Sequence, residues 1–357
     1  MNPEGVTFPD AFGYCGGVRA ADNEVEQLTT IAEQYDIPVY GFHAIVHNQD
    51  VTRHHEANGV TFVETIDHIP DYSAVVISAH GASPLVFSDL AQKNCEVFDA
   101  TCPLVTRTHK GVREAREAGE KVLYICKGKP DDPELKSIHD EVAGMEGHLD
   151  YVLTEDKQSV YSPVERAYFE IGDPLTLAAL SDAAKYKIIW QTTLHAEEAA
   201  AYRQQLEYWI QAVQPHATFG EIPANFVCNA VQDRQKGVEQ LVDLGMPIVV
   251  VTDPSSKNGM GYYHQAEAAL EGTENRAYAV ANAAEARTLG LTGRVAITAS
   301  ASTPDRTIKE VAKEYDPEVE VPATDRSFTL PDSNPEQMTL RLSRLADIRL
   351  ELERVNA

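Results

Sequence analysis

Ala74-Val-Val-Ile-Ser-Ala-His80 decides the fold class. An uninterrupted apolar run, mostly β-branched, ends in small residues and a histidine. A strand with one wet face would alternate apolar and polar positions. A short continuous run is the pattern of a strand buried on both faces, as in parallel sheets. Outward from it the pattern recurs in Lys121-Val-Leu-Tyr-Ile-Cys126, Lys187-Ile-Ile-Trp-Gln-Thr-Thr193, Pro247-Ile-Val-Val-Val-Thr252 and Arg294-Val-Ala-Ile-Thr-Ala-Ser300. Each is too short for a buried helix and is bounded by turn formers. Between the runs, residues 18–35, 105–118, 196–213 and 230–244 carry helical periodicity. Such alternation predicts an α/β fold with mainly parallel sheets. Ligands of these sheets lie beyond the carboxyl ends of the strands. Here those ends carry His80, Thr192, Thr193, Ser255, Ser256 and Ser302, a set suited to an anion.

At roughly 100–200 residues per domain, a chain of 357 residues holds two or three. The pattern divides into α/β units over 12–101, 102–222 and 223–322, with an internal loop at Gly172-Asp-Pro174. Residues 323–357 read as a linker and an amphipathic helix. Lys plus Arg number 30 against 55 for Asp plus Glu, a net charge of −25. So acidic a surface repels phosphate backbones, which argues against nucleic acid as the main partner; its plain role is solubility. Hydrophobic residues make up 43% of the chain, enough to exclude wholesale disorder. No stretch approaches the ~20 apolar residues of a membrane span. The first residues lack the basic and apolar regions of a signal peptide, so a soluble cytoplasmic protein is expected.

Five cysteines, an odd number without any CxxC pair, point away from disulfides in such a compartment. Gly13-Tyr-Cys15-Gly-Gly-Val-Arg19 sets one of them among glycines just ahead of a predicted helix. There the positive end of the helix dipole and backbone N–H groups favour the thiolate, the form that binds metal. Phe98-Asp-Ala-Thr-Cys102-Pro-Leu-Val-Thr106 repeats the arrangement, with proline for the first helical turn. Phe226-Val-Cys228-Asn-Ala-Val-Gln-Asp-Arg-Gln235 does so again. Any one of these thiols alone reads as a buried structural cysteine. One in each α/β unit, all in equivalent settings, points to a shared metal cluster.

In their order and combination these blocks resemble the LytB (IspH) family of 4-hydroxy-3-methylbut-2-enyl diphosphate reductases. The likeness is also carried by Val46-His-Asn48, Ser78-Ala-His-Gly81, Gln191-Thr-Thr-Leu194, Arg234-Gln235 and Ala301-Ser-Thr-Pro-Asp305. It implies a trefoil of three α/β domains around a central [4Fe-4S] cluster, with Cys15, Cys102 and Cys228 as ligands. Three thiolates leave one iron of the cube open to a substrate hydroxyl. Cys95 and Cys126 sit on strand patterns, match no family ligand and read as core thiols. The implied reaction is reductive dehydroxylation to isopentenyl and dimethylallyl diphosphate, in isoprenoid precursor biosynthesis, with a ferredoxin or flavodoxin as electron donor.

The resemblance also assigns the diphosphate pocket. His47 and His80 fall in matching motifs, Thr192 in the matching turn, and Ser302 at the last strand. Protonated imidazoles and hydroxyls are donors that a buried diphosphate can use. Ile138-His-Asp-Glu-Val-Ala-Gly144 fits the family segment that holds a third histidine and the proton-donating glutamate, which gives those roles to His139 and Glu141. A competing alignment uses Glu134 in Pro133-Glu-Leu-Lys136. Burial beside an anionic substrate raises such a carboxyl's pKa, so that it holds a proton near neutral pH. Two departures stand out. Val231 follows Ala230 where the family has threonine, and Pro254-Ser-Ser-Lys-Asn-Gly-Met-Gly261 replaces an Asn-Ser-Ser-Asn loop. Either Ser255, Ser256 and Asn258 take the loop's roles around an inserted Lys257, or Gly259-Met-Gly261 stands there and leaves it bare. The altered loop motivates a second reading, a divergent paralogue acting on another allylic alcohol or diphosphate. A non-catalytic iron–sulfur or zinc protein would need neither Glu141 nor Thr192.

Met338, Leu342, Leu345, Ile348, Leu352 and Val355 form one stripe of the terminal helix, interrupted by Arg341 and Arg349. A lone helix of this length is marginal in water and must bury its stripe. It docks either on its own chain or, through the 345–355 seam, on the same helix of a second subunit in a homodimer. The cysteine assignment has a direct check. Anaerobically prepared protein should carry about four irons per chain. Serine at position 15, 102 or 228 should lower that content, and serine at 95 or 126 should not. Iron loss with Cys95→Ser equal to that with Cys102→Ser would overturn the ligand set.

Overall fold

The computed structural model describes residues 5–126, 134–135, 137–138, 149–153, 159–162, 167–170, 183–192, 194, 196–220, 228–323 and 328–356. Strand β1 (Gly5–Thr7) is followed by α1 (Gly16–Glu33), β2 (Val39–Phe42), α2 (Gln49–Ala57), β3 (Val60–Val63), β4 (Ala74–Ile77), α3 (Pro84–Gln92), β5 (Glu96–Asp99) and α4 (Pro103–Glu117). Next come β6 (Lys121–Cys126), β7 (Leu149–Leu153), β8 (Ser159–Ser162), β9 (Ala167–Glu170), β10 (Lys185–Trp190), α5 (Ala196–Val213) and β11 (Thr218–Phe219). The last run holds α6 (Asn229–Val242), β12 (Ile248–Val251), α7 (Lys257–Ala269), β13 (Ala277–Val280), α8 (Ala283–Thr288), β14 (Arg294–Ala299), α9 (Asp305–Lys313) and α10 (Pro335–Asn356). The loop expected at Gly172-Asp-Pro174 lies outside the described residues.

The strands form three sheets, ordered β3-β2-β4-β5, β11-β10-β6-β7-β8-β9 and β1-β14-β12-β13. Pairing is parallel except for β7 with β8 and β8 with β9. Each apolar run quoted above is a strand, and β4, β6 and β12 are buried along their whole length. Contacts gather the chain into two compact units. One comprises Met1–Ala79, Lys93–Ala100 and Asn229–Ala357, the other His80–Gln92 and Thr101–Cys228. The first unit therefore holds two of the sheets. Its strand β1 precedes the sequence-based boundary at residue 12 and pairs with β14, Val6 opposite Val295. Its short length gives no periodicity to read. Among the described residues no helix is long and apolar enough to cross a membrane.

In the first unit α1 packs Val25, Leu28 and Ala32 into the core of the β3-β2-β4-β5 sheet, and α10 adds Met338, Leu342 and Leu345 to the same core. The leading half of the terminal stripe is thus spent on its own chain. Farther along, Ile348 is 45% and Val355 81% exposed. The arginines that interrupt the stripe both have partners. Arg341 lies over the Phe98 ring and donates to Glu96, Asp332 and the Val97 carbonyl. Arg349 donates to the Tyr72 carbonyl at 3.1 Å.

Beside this junction lies Glu24 of α1, wholly buried, with neither carboxyl oxygen hydrogen-bonded among the described residues. Burial raises its pKa from 4.5 to about 7, the carboxylates of Asp332 and Asp99 add to the rise, and Arg341 opposes it. A raised carboxyl pKa means that the fold holds a proton the unfolded chain has released. Stability therefore falls as pH rises from about 4.5 to about 7 and levels off above, a loss of ~3 kcal/mol at full extent. Glu24→Gln should flatten this part of the stability–pH curve. The variant should match the parent near pH 4 and exceed it at pH 8, as read by urea unfolding. Parallel curves for the two proteins would refute the buried-acid account.

Candidate functional site

Each of the three singled-out cysteines immediately precedes a helix: Cys15 before α1, Cys102 before α4 and Cys228 before α6. No acidic residue occupies the first turn of these helices, and neither the Cys15 nor the Cys102 side chain caps its own helix. None of the five cysteines forms a disulfide, and all three of these thiols are partly accessible. Cys126 is buried in the core beside Val122 and Tyr124, as expected of a core thiol, whereas Cys95 is only half-buried, its thiol pushed up by partial burial.

The Cys15 loop is built with care. Gly13 has φ +64°, and a Cβ there would meet the Ile308 side chain at 2.5 Å. The loop hangs on β14, with Gly13 N–H donating to the Ala299 carbonyl at 3.1 Å. Arg234, fully buried on α6, donates its Nε to the Gly13 carbonyl at 2.8 Å and Nη1 to the Ala230 carbonyl at 2.9 Å. Arg19 grips Asp305 with both terminal nitrogens, at 2.6 and 3.0 Å. Sequence reading noted Arg234 as part of a motif and gave it no task; it is the sixth residue of α6, and its burial is not readable from sequence.

Within the first unit, the expected diphosphate ligands stand on neighbouring loops. Asn48 caps α2 through Oδ1 and donates its Nδ2 to the Ser302 carbonyl at 2.9 Å, tying the His47 turn to the end of β14. Ser256 caps α7, its Oγ accepting from Gly259 N–H at 3.2 Å. A methyl group on Gly259 would run into Thr252, so α7 starts hard against the end of β12. Ser255 and Ser256 therefore lie where the strand ends, and Asn258 lies in the first turn of α7. Gly259 and Gly261 are inside that helix. His47 and Ser255 are exposed; Asn258 and Ser302 are half-buried. Sequence reading missed Asp253, whose Oδ1 accepts from Ser255 N–H and Oδ2 from Gln49 N–H. The Asp-Pro-Ser turn signature was its trace.

In the second unit the backbone of one residue bridges Glu134 and Cys228. Thr192 N–H donates to Glu134 Oε1 at 3.1 Å, and the Thr192 carbonyl accepts from Cys228 N–H at 3.0 Å. Tyr124 Oη adds a bond to the same Glu134 oxygen at 3.2 Å. Glu134 is 3% exposed and Thr192 4%. Ser137, one turn on, places its Oγ 2.8 Å from the Glu134 carbonyl and 3.4 Å from that of His80. His139 and Glu141 lie outside the described residues. Among the described residues no three His, Cys, Asp or Glu side chains gather as a metal site. The donor set nonetheless suits an iron–sulfur cluster: soft, partly accessible thiols at helix starts, without disulfides.

The family model for the LytB protein matches residues 6–316. A 4-hydroxy-3-methylbut-2-enyl diphosphate reductase of Acidothermus cellulolyticus is 31% identical over 96% of this chain and 89% of its own length. A reductase of the same name from Azotobacter vinelandii is 32% identical over 84% of this chain and 86% of its own. The fold is shared with the solved E-1-hydroxy-2-methyl-but-2-enyl-4-diphosphate reductase from Plasmodium falciparum, at TM-score 0.67 and 22% identity over 96% of this chain and 98% of that one. On these matches, the chain belongs to the LytB family.

Proposed function

We propose that this chain reduces 4-hydroxy-3-methylbut-2-enyl diphosphate to isopentenyl and dimethylallyl diphosphate. The allylic C–O bond breaks and a C–H bond forms on the allyl carbons, with two electrons and two protons consumed and water released. Family membership and the relatives bearing that enzyme's name support this reading. Cys15, Cys102 and Cys228 would hold a [4Fe-4S] cluster, which supplies electrons and a Lewis acid when bound. A small protein donor of the ferredoxin or flavodoxin type would deliver the electrons, in the cytoplasm.

The observation that carries the catalytic assignment is the Thr192 peptide, which holds Glu134 on one side and Cys228 on the other. It favours Glu134 over Glu141 as the proton donor. Glu134 Oε1 accepts from Thr192 N–H and the Tyr124 hydroxyl, which orient the carboxyl. Burial of that carboxyl, beside a bound anion, favours its neutral form. His47, His80, His139, Ser256, Asn258 and Ser302 would bind the diphosphate. The start of α7 would offer backbone donors to it.

An anaerobic assay with the diphosphate substrate and reduced methyl viologen tests the function directly. Turnover by the iron-loaded protein is expected; an intact cluster without turnover would leave the divergent paralogue and the non-catalytic iron–sulfur protein. Glu134→Gln should lower kcat by ~100-fold or more while substrate still binds, because the amide keeps the shape and has no proton to give. Full activity in Glu134→Gln, with loss in Glu141→Gln, would move the acid to the later glutamate.

A further inference from the structure

We propose that Asp253 is the positioning residue of the diphosphate side of the site, clamping the His47 turn to the Ser255–Ser256 loop. The inference rests on the functional reading above and assigns a task to a side chain that reading leaves unused. Asp253 stands directly after β12, only 8% exposed, and its carboxylate is shared between two loops. Oδ2 accepts from the Gln49 amide at 2.9 Å, at the first turn of α2 and two residues past His47. Oδ1 accepts from the Ser255 amide at 2.8 Å and from the Ser255 hydroxyl at 2.6 Å. Burial disfavours the charge, but the Ser255 hydroxyl, the Gln49 and Ser255 amides and the nearby Arg53 together hold the carboxyl below its ordinary range. Asp253 is thus an anion whose charge is already satisfied by local donors.

The same bonds change what Ser255 offers. A hydroxyl has one hydrogen, and here it is given to Asp253, so Ser255 serves the clamp and presents only lone pairs to a phosphate oxygen. Diphosphate donors in this loop are then the Ser256 hydroxyl, whose oxygen accepts from Gly259, and the amides at the start of α7. Lys257, exposed at the first position of that helix, lies among them. Asn48 completes the frame by bonding the Ser302 carbonyl, so the His47 turn is fixed against both β12 and β14.

The test uses full-length, anaerobically prepared protein and inorganic diphosphate as the probe. Asp253→Ala should raise the calorimetric Kd for diphosphate at least ~10-fold, with kcat at saturating substrate changed less than about threefold. Exchange of the Gln49 and Ser255 amides should accelerate in the same variant. Asp253→Asn keeps an acceptor for one amide and should recover part of the affinity. Combining Asp253→Ala with Ser255→Ala should weaken binding no further than Asp253→Ala alone, because both act through one contact. Faster exchange with an unchanged Kd, or fully additive effects of the two substitutions, would overturn the proposal. Failure of the parent protein to bind diphosphate and to turn over substrate would instead strike the functional reading. Diphosphate binding that responds to Asp253 in a protein without turnover would leave the clamp standing.

Discussion

Thr192 donates its amide hydrogen to Glu134 and receives one at its carbonyl from Cys228, and the chemistry assigned to the second unit depends on that pair of bonds. The bonds use backbone atoms, so they constrain where the chain runs rather than which side chain occupies position 192. Thr192 lies just past the end of β10, a strand paired on one side with β6 over five registered residues. The same β6 supplies Tyr124, the second donor to Glu134. A buried carboxyl with backbone and phenolic donors on one oxygen is oriented before any substrate arrives. In a low-dielectric site such orientation matters more than raw acidity.

The first unit solves a matching problem on the anion side. Parallel strands deliver several loops to one end of a sheet, and each loop needs its polar backbone satisfied without closing the ligand's access. Asn48, Asp253 and Ser256 do this with side chains, bonding amides and carbonyls of neighbouring loops. Arg234 does it for the Cys15 loop with a buried guanidinium aimed at the Gly13 carbonyl. Gly13 and Gly259 supply the close approaches that a side chain would block.

Much of this was legible in the sequence, for physical reasons. Continuous β-branched runs can hardly be anything but strands buried on both faces, and β4, β6, β10, β12 and β14 follow them. Cysteines ahead of predicted helices stand ahead of observed ones. What escaped is what periodicity does not encode. The strand β1 is too short to show a pattern, and the antiparallel β7 to β9 edge carries no long apolar run. The sequence motif favours Glu141, which lies outside the described residues; the bond that Thr192 makes to Glu134, 58 positions earlier, has no trace in sequence. Asp253 leaves only a turn signature in the sequence, because its bond to Gln49 spans 204 residues. The terminal helix shows both sides: its leading stripe reads correctly as a docking face, but periodicity alone does not show that Leu345 is buried and Ile348 exposed.

The central claim is that Glu134, oriented by the Thr192 peptide, holds the proton that the reaction consumes. Infrared difference spectroscopy on the anaerobic, substrate-bound protein addresses it without relying on turnover. The parent protein and Glu141→Gln should show the C=O stretch of a protonated carboxyl on substrate binding, and Glu134→Gln should lack it. A band that persists in Glu134→Gln and vanishes in Glu141→Gln would contradict the account.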